Sequence, residues 1–367
     1  MTAEPDISRA PSDAAVLGPG AHPPEAVDPG KVGIALDWGT TNLRGFLIDA
    51  TGAVREQREK PWGILSLPAA PDAGGFDLAL EGIAGDWLTE HPVAPLIASG
   101  MVGSAQGWRE APYVPCPAGA RELAVSMTSV ATACGRDLMI VPGILLDQAD
   151  LLPDVIRGEE TQVVGALQAR QAESAGGAKE AAVCFVLPGT HSKWVLVRDA
   201  QITMFATYMT GELFANLKQH SILGRLMKEP EGDTAGAIAA AAFLQGLALA
   251  REGAPGDLMR QLFTARSMNL AGRLPPVALA DYLSGLLIGN ELLSANAWLA
   301  REAGVDTPIV LIGEAALRAR YQAALAAFGS GAASMPNTAA AGLHHLLHLS
   351  AGAAPAPAGN SHSTGRR

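Results

Sequence analysis

Apolar and polar positions follow one plan in two separate stretches of the chain. Residues 32–49 read VGIALDWGTTNLRGFLID, and residues 183–199 read VCFVLPGTHSKWVLVRD. Each is an apolar run of strand length, a tight Gly-Thr turn with small polar side chains, a second apolar run, and then an Asp. Gly39 aligns with Gly189, Thr40 with Thr190 and Asn42 with Ser192. Glycine at such a bend lets backbone N–H groups approach an anion that a Cβ would hold off. Two facing turns of this kind could grip both ends of a polyphosphate.

The pattern predicts further elements around each copy. Strands are expected over 32–37, 43–49 and 53–60, a three-stranded meander, followed by a helix near 76–89 and strands at 96–100 and 138–141. A helix beginning around Glu160 leads to a second meander at 183–187, 193–198 and 202–207. From 208 onward the periodicity is mainly helical. The exception is the apolar run ending at Ile312-Gly313, with a helix from Ala315 to Phe328 behind it and a last helix starting near Asn337, an N-cap residue. Meander, strand and helix thus occur twice, which predicts an α/β fold of two related domains, 31–157 and 158–336. The cleft lies between them, the hinge near 155–160, and a closing helix over 337–350 crosses back.

Composition narrows the functional classes. A chain of 367 residues with 49% hydrophobic and 17% charged residues has room for two cores. The net charge of −10 argues against nucleic-acid binding, which wants a basic surface, but leaves ATP binding open. Cys116, Cys134 and Cys184 form no CxxC pair and are odd in number, so a reduced cytoplasm is expected rather than a disulfide framework. Residues 1–30 carry six prolines and five acids, and the tail 351–367 is rich in Ala, Pro, Gly and Ser; both read as disordered extensions. The apolar run 235–250 is mostly alanine and falls short of the roughly 20 strongly apolar residues of a membrane span. His344, His345 and His348 have no neighbouring carboxylate or cysteine and read as ordinary helix residues.

Longer strings carry a more specific signal. SGMVGS (99–104), GWREAPY (107–113), RGEETQ (157–162), PGTHSKW (188–194) and MTGELF (209–214) together resemble the 2-dehydro-3-deoxygalactonokinases of the actin-like ATPase and sugar-kinase superfamily, over about 32–347. The resemblance implies a two-domain actin-like (ribonuclease H-like) fold. It also implies a kinase that moves a phosphoryl group from ATP, with Mg²⁺, to the 6-hydroxyl of 2-dehydro-3-deoxy-D-galactonate. Another sugar or sugar-acid kinase is the nearest rival. A non-kinase actin-like nucleotide-binding protein is a more distant one, since it has no need of the segment around Trp108.

The resemblance assigns roles by position. Asp37 would hold the metal, and Gly39, Thr40, Thr41, Asn42, Gly189, Thr190, His191, Ser192 and Lys193 would hold the ATP phosphates. Gly313 and Glu314 would close over adenine, and Gly211 and Glu212 lie where nucleotide or metal contacts are plausible. Glu159 would be the general base. Glu160 stays open as its rival, because a carboxylate at a helix start is also a common dipole partner. Ser99, Gly103, Ser104, Gln106 and Trp108 would line the sugar-acid pocket. The substrate carboxylate wants a cation, for which Arg44, Arg109 and Lys193 stay equally open. Partners are thus a sugar acid and ATP, with no nucleic acid and no membrane; a homodimer is left open.

Overall fold

Two sheets that share the order of five of their six strands face each other across two helices. A computed structural model describes residues 32–173, 181–229, 235–254 and 256–351. The predicted extension 1–30 lies outside the described residues, and of the tail only Ala351 is described, as the end of a helix.

The first sheet runs β3 (Val54–Lys60), β2 (Leu43–Asp49), β1 (Val32–Trp38), β4 (Leu96–Gly100), β8 (Asp137–Ile140), β7 (Thr128–Ala131). The second runs β15 (Ala333–Met335), β14 (Ile309–Ile312), β11 (Val183–Leu187), β12 (Ser192–Arg198), β13 (Gln201–Tyr208), β6 (Ala118–Gly119). In each, the meander is antiparallel and its first strand takes a parallel partner, β4 on β1 and β14 on β11. That duplicated order is the actin-like plan. A small third sheet joins β10 (Asp154–Ile156), β9 (Ile144–Leu146) and β5 (Val114–Pro115). Strand β6 comes from the first half of the chain yet pairs with β13 in the second sheet, through Ala118 and Ile202.

Side-chain alternation explains the layering. In β11, Phe185 and Leu187 join the core between the sheets, whereas Cys184 and Val186 face an outer core with Phe243, Leu247 and Ile288. In β1, Ala35 faces inward, whereas Ile34, Leu36 and Trp38 pack outward on Phe76, Ile83 and Trp87. The outward residues of β1 meet α1 (Gly75–Glu90), and α2 (Ala120–Val125) lies beside β6. The inner layer contains α3 (Glu159–Glu173) and α10 (Ala339–Ala351), which contribute Val163, Leu343 and Leu346. These two helices cross closely. A Cβ on Gly165 would sit 2.1 Å from the Thr338 carbonyl, and one on Gly342 would sit 1.9 Å from that of Thr161. Helices α4 (Thr210–His220), α5 (Ala235–Glu252), α6 (Leu258–Leu262), α7 (Thr264–Leu270), α8 (Leu279–Glu302) and α9 (Ala315–Ala327) gather around the second sheet. None of the described helices is long and apolar enough to cross a membrane.

Candidate active site

Both Gly-Thr turns leave their sheets at corresponding ends. In the first, Gly39 N–H donates to the Asn42 carbonyl at 2.9 Å and closes the bend. Backbone N–H groups of Gly63, Ile64 and Leu65 donate to the carbonyls of Thr41, Gly39 and Thr40. The turn is therefore braced from behind, while the side chains of Thr40, Thr41 and Asn42 stay exposed. In the second, Glu212 N–H donates to the Thr190 carbonyl at 2.8 Å, and His191 pairs with the Glu212 carboxylate. A Cβ on Gly211 would lie 2.3 Å from the Gly189 carbonyl, so only glycine lets α4 start against this turn. Gly39 and Gly189 are only partly exposed, whereas Thr190 and His191 are exposed.

Ser192 and Lys193 differ from their neighbours. The second strand of the hairpin starts at Ser192 itself, so both side chains leave the turn and enter its buried faces. Ser192 donates its hydroxyl to Glu291 at 2.8 Å, and that carboxylate also accepts from Trp194, Thr210 and Tyr321. Lys193 Nζ donates to Thr207 Oγ1 at 2.9 Å and to the Val155 carbonyl at 3.3 Å. Both side chains, expected at the ATP phosphates, make these hydrogen bonds within the protein.

The carboxylates gather where α3 meets the first sheet. Asp37 faces Arg44 across the β1–β2 ladder at 3.4 Å, and Arg44 also reaches Glu59 at 3.5 Å. Burial pushes the Asp37 carboxyl up, against the opposing pull of the Arg44 charge. Asn337 caps α10 by accepting Ala339 N–H at 2.8 Å, and its side chain also hydrogen-bonds Asp37. Gly158, at φ +107°, comes so close to Gly100 that a Cβ would stand 3.3 Å from its Cα. This contact seats the α3 start on the end of β4. Glu160 is fully buried and turns back on the chain, accepting Gly158 N–H at 2.6 Å and the Thr161 hydroxyl at 3.0 Å. Its carboxyl is pushed up to about 7 by burial and by the Glu159 charge. Glu159 is partly exposed and accepts Arg157 N–H at 3.0 Å. Burial raises its carboxyl, the Lys193 charge lowers it, and Asp37 raises it again. Asp37, Glu159 and Lys193 are thus within electrostatic reach of one another, though they come from both halves of the chain.

The segment from Ser99 to Trp108 lies partly inside the fold. Ser99 pairs with Asp37 in the parallel β1–β4 register and is fully buried, Gly103 is buried, Ser104 is half-buried and Gln106 is exposed. Trp108 stacks on Phe76 at 5.5 Å and meets Trp38 edge-on at 6.0 Å, so one face of its ring belongs to the core. The sequence reading passed over Arg157, whose Nη2 donates to the Ala111 carbonyl at 2.9 Å and whose guanidinium lies 4.2 Å from the Tyr113 ring centre. It also missed a cavity of about 440 Å³ that opens beside the second turn, lined by Gly189, Gly211, Met227, Asp281, Ser284 and Arg320 among others. Gly313 and Glu314 do not line it; they lie at the adjoining end of β14, with Gly313 facing the Pro188 carbonyl. Residues of α4, α8 and α9 and of the segments 227–229 and 277 meet around that space, and no local motif announces it.

The profile of the 2-keto-3-deoxy-galactonokinase family matches residues 37–346, most of the chain. The chain belongs to this family. It is 34% identical over 317 residues to the 2-dehydro-3-deoxygalactonokinase of Escherichia coli K12, covering 86% of this chain and 97% of that one. A candidate 2-dehydro-3-deoxygalactonokinase of Rhizobium meliloti is 37% identical over 297 residues, with 80% and 89% covered. The crystal structure of a candidate family member from Sinorhizobium meliloti superposes with a TM-score of 0.72 at 32% identity, covering 87% of this chain and 98% of that one. The two Gly-Thr turns, the acids Asp37, Glu159 and Glu160 and the segment 99–113 all fall inside the matched region.

Proposed function

We propose that this chain is the ATP-dependent kinase of galactonate breakdown that phosphorylates the 6-hydroxyl of 2-dehydro-3-deoxy-D-galactonate, acting in the cytoplasm. The observation that carries the reading is the placing of two carboxylates by one strand end: Asp37 is in register with Ser99 on β4, and the next residue, Gly100, packs against Gly158, which directly precedes Glu159. A phosphoryl transferase needs one carboxylate where the phosphates arrive and another where the accepting hydroxyl lies.

In this reading the exposed turns 39–42 and 189–191 hold the triphosphate, and the cavity beside Gly189 takes the nucleoside. The sugar oxygen attacks the γ-phosphorus, the bond to the β–γ bridging oxygen breaks, ADP leaves, and Glu159 accepts the hydroxyl proton. Burial helps Glu159, because a raised affinity for protons makes it a better base as long as the working pH keeps it ionised. Lys193, held by Thr207 and Val155, keeps it from being raised too far.

The donor set also fits Mg²⁺ delivered with the nucleotide. Among the described residues no group of three or more His, Cys, Asp or Glu could cage a bare cation. Mg²⁺ bound through phosphates asks only one or two carboxylates of the protein, and Asp37 supplies one. Such an ion would neutralise charge on the transferring phosphoryl group. ADP release measured against a panel of sugar acids and neutral sugars tests the reading. Stimulation by 2-keto-3-deoxy acids supports it, and ATP turnover indifferent to every member of the panel contradicts it.

A further inference from the structure

We infer that Arg157, together with Ser99 and Ser104, is the seat of the substrate's carboxylate, an inference that rests on the sugar-acid kinase reading above. Among the described residues, four buried side-chain atoms lack any hydrogen-bond partner: Ser99 Oγ, Ser104 Oγ, Arg157 Nε and Arg157 Nη1. Buried polar groups are almost always matched, and a charged group left partly unmatched is a costly case. Such groups clustered in one place point to a ligand that brings acceptors.

The four atoms belong to one locality. Gly158, next to Arg157, touches Gly100, next to Ser99. A Cβ on Gly103, next to Ser104, would stand 3.0 Å from Arg157 Nη1. Ser99 is in register with Asp37, and the Arg157 backbone N–H holds Glu159. The cluster therefore adjoins both groups assigned to phosphoryl transfer.

The chemistry selects an anion with several oxygens. Arg157 is already oriented by the Ala111 carbonyl and the Tyr113 ring, so two of its nitrogens present donors without further ordering. The hydroxyls of Ser99 and Ser104 add two neutral donors. The other candidate cations are less suited. Arg44 is committed to Asp37 and Glu59, Lys193 to Thr207 and the Val155 carbonyl, and Arg109 is exposed. A six-carbon 2-keto acid has its carboxylate and its 6-hydroxyl at opposite ends. Arg157 and Glu159, two residues apart at one helix start, would hold those two ends. Because the four atoms are shut off from solvent and the Tyr113 ring lies against the Arg157 guanidinium, binding requires that ring to move.

The test compares the sugar acid with its analogue reduced to an alcohol at C1, in wild type, Arg157→Gln, Arg157→Lys and Ser104→Ala. In Arg157→Gln the preference for acid over alcohol in kcat/KM should fall roughly 30-fold or more, carried by the KM for the acid, while the KM for ATP moves little. Arg157→Lys should restore part of the preference. Ser104→Ala, which removes one atom from a half-buried site, should reduce it about fivefold and gives a reading even if Arg157→Gln fails to fold. Variants that keep the wild-type preference, however much overall activity they lose, would overturn the inference and leave the kinase reading standing. A wild type that turns over no sugar acid would overturn both.

Discussion

Ser192 donates its hydroxyl to Glu291 at 2.8 Å, across 99 positions of sequence. Glu291 lies on α8, is buried, and also accepts from Trp194 on the same hairpin, Thr210 at the start of α4 and Tyr321 on α9. One carboxylate thus ties the second Gly-Thr turn to three helices, two of which supply Thr210 and Tyr321 to the cavity wall. Glu291→Gln removes the charge and half the acceptor capacity. It should cost about 3 kcal/mol of stability and raise the KM for ATP several-fold. Denaturant unfolding and ATP saturation curves check both; a variant as stable as wild type would show that the four donors find partners elsewhere.

The neighbouring acids at the α3 start should separate in kinetics. Glu159→Gln should lower kcat by roughly 10² or more with little change in KM, whereas Glu160→Gln should cost much less. Since burial raises the Glu159 carboxyl, kcat/KM of wild type should fall on the acid side at a pH above the ordinary carboxylate range, and Glu159→Gln should lack that limb. The reverse order of damage would make Glu160 the base.

Glu160 should show itself in stability instead. Its carboxyl binds protons more tightly in the fold, at about 7, than in an unfolded chain with the ordinary value of 4.5. The stabilisation of the protonated form is fully present below that ordinary value and is lost as pH rises through about 7. Glu160→Gln mimics the protonated form at every pH. Relative to wild type it should gain up to about 3 kcal/mol between pH 5 and pH 8. Parallel stability curves for the two proteins over that range would refute the assignment.

Asp37→Asn keeps the size and a hydrogen-bonding role for the residue facing Arg44 but loses the charge. The variant should still bind ATP while kcat drops by roughly 10² or more, because the lost contribution is to charge stabilisation in the transition state. Nucleotide binding by titration calorimetry, set beside steady-state rates, separates the two effects. Near-normal turnover would remove Asp37 from the mechanism.

Much of the architecture was legible in the chain because it is written locally. Alternation of apolar residues marks β1, β2, β11 and β12, Gly39 and Gly189 mark the bends, and Asn337 marks the start of the last helix. The two-residue strands Val114–Pro115 and Ala118–Gly119 carry no such pattern, since only pairing with distant strands defines them. At the site, residue types were visible but directions were not. The strand begins one residue earlier than expected, at Ser192, and the bonds of Ser192 to Glu291 and of Lys193 to Thr207 join residues far apart in sequence. Phe76 stacks on Trp108, a contact that no local pattern in the chain announces. Arg157 stood in the quoted string but was not singled out, because the absence of partners for its nitrogens is a property of packing rather than of sequence.

The most direct measurement is the identity of the product. Incubating the chain with ATP, Mg²⁺ and 2-dehydro-3-deoxy-D-galactonate and following phosphorus by NMR should show ADP and a phosphomonoester appearing in equal amounts. The ester phosphorus should couple to the two protons of the C6 methylene. Inorganic phosphate in place of the ester, or an ester on another carbon, would contradict the account.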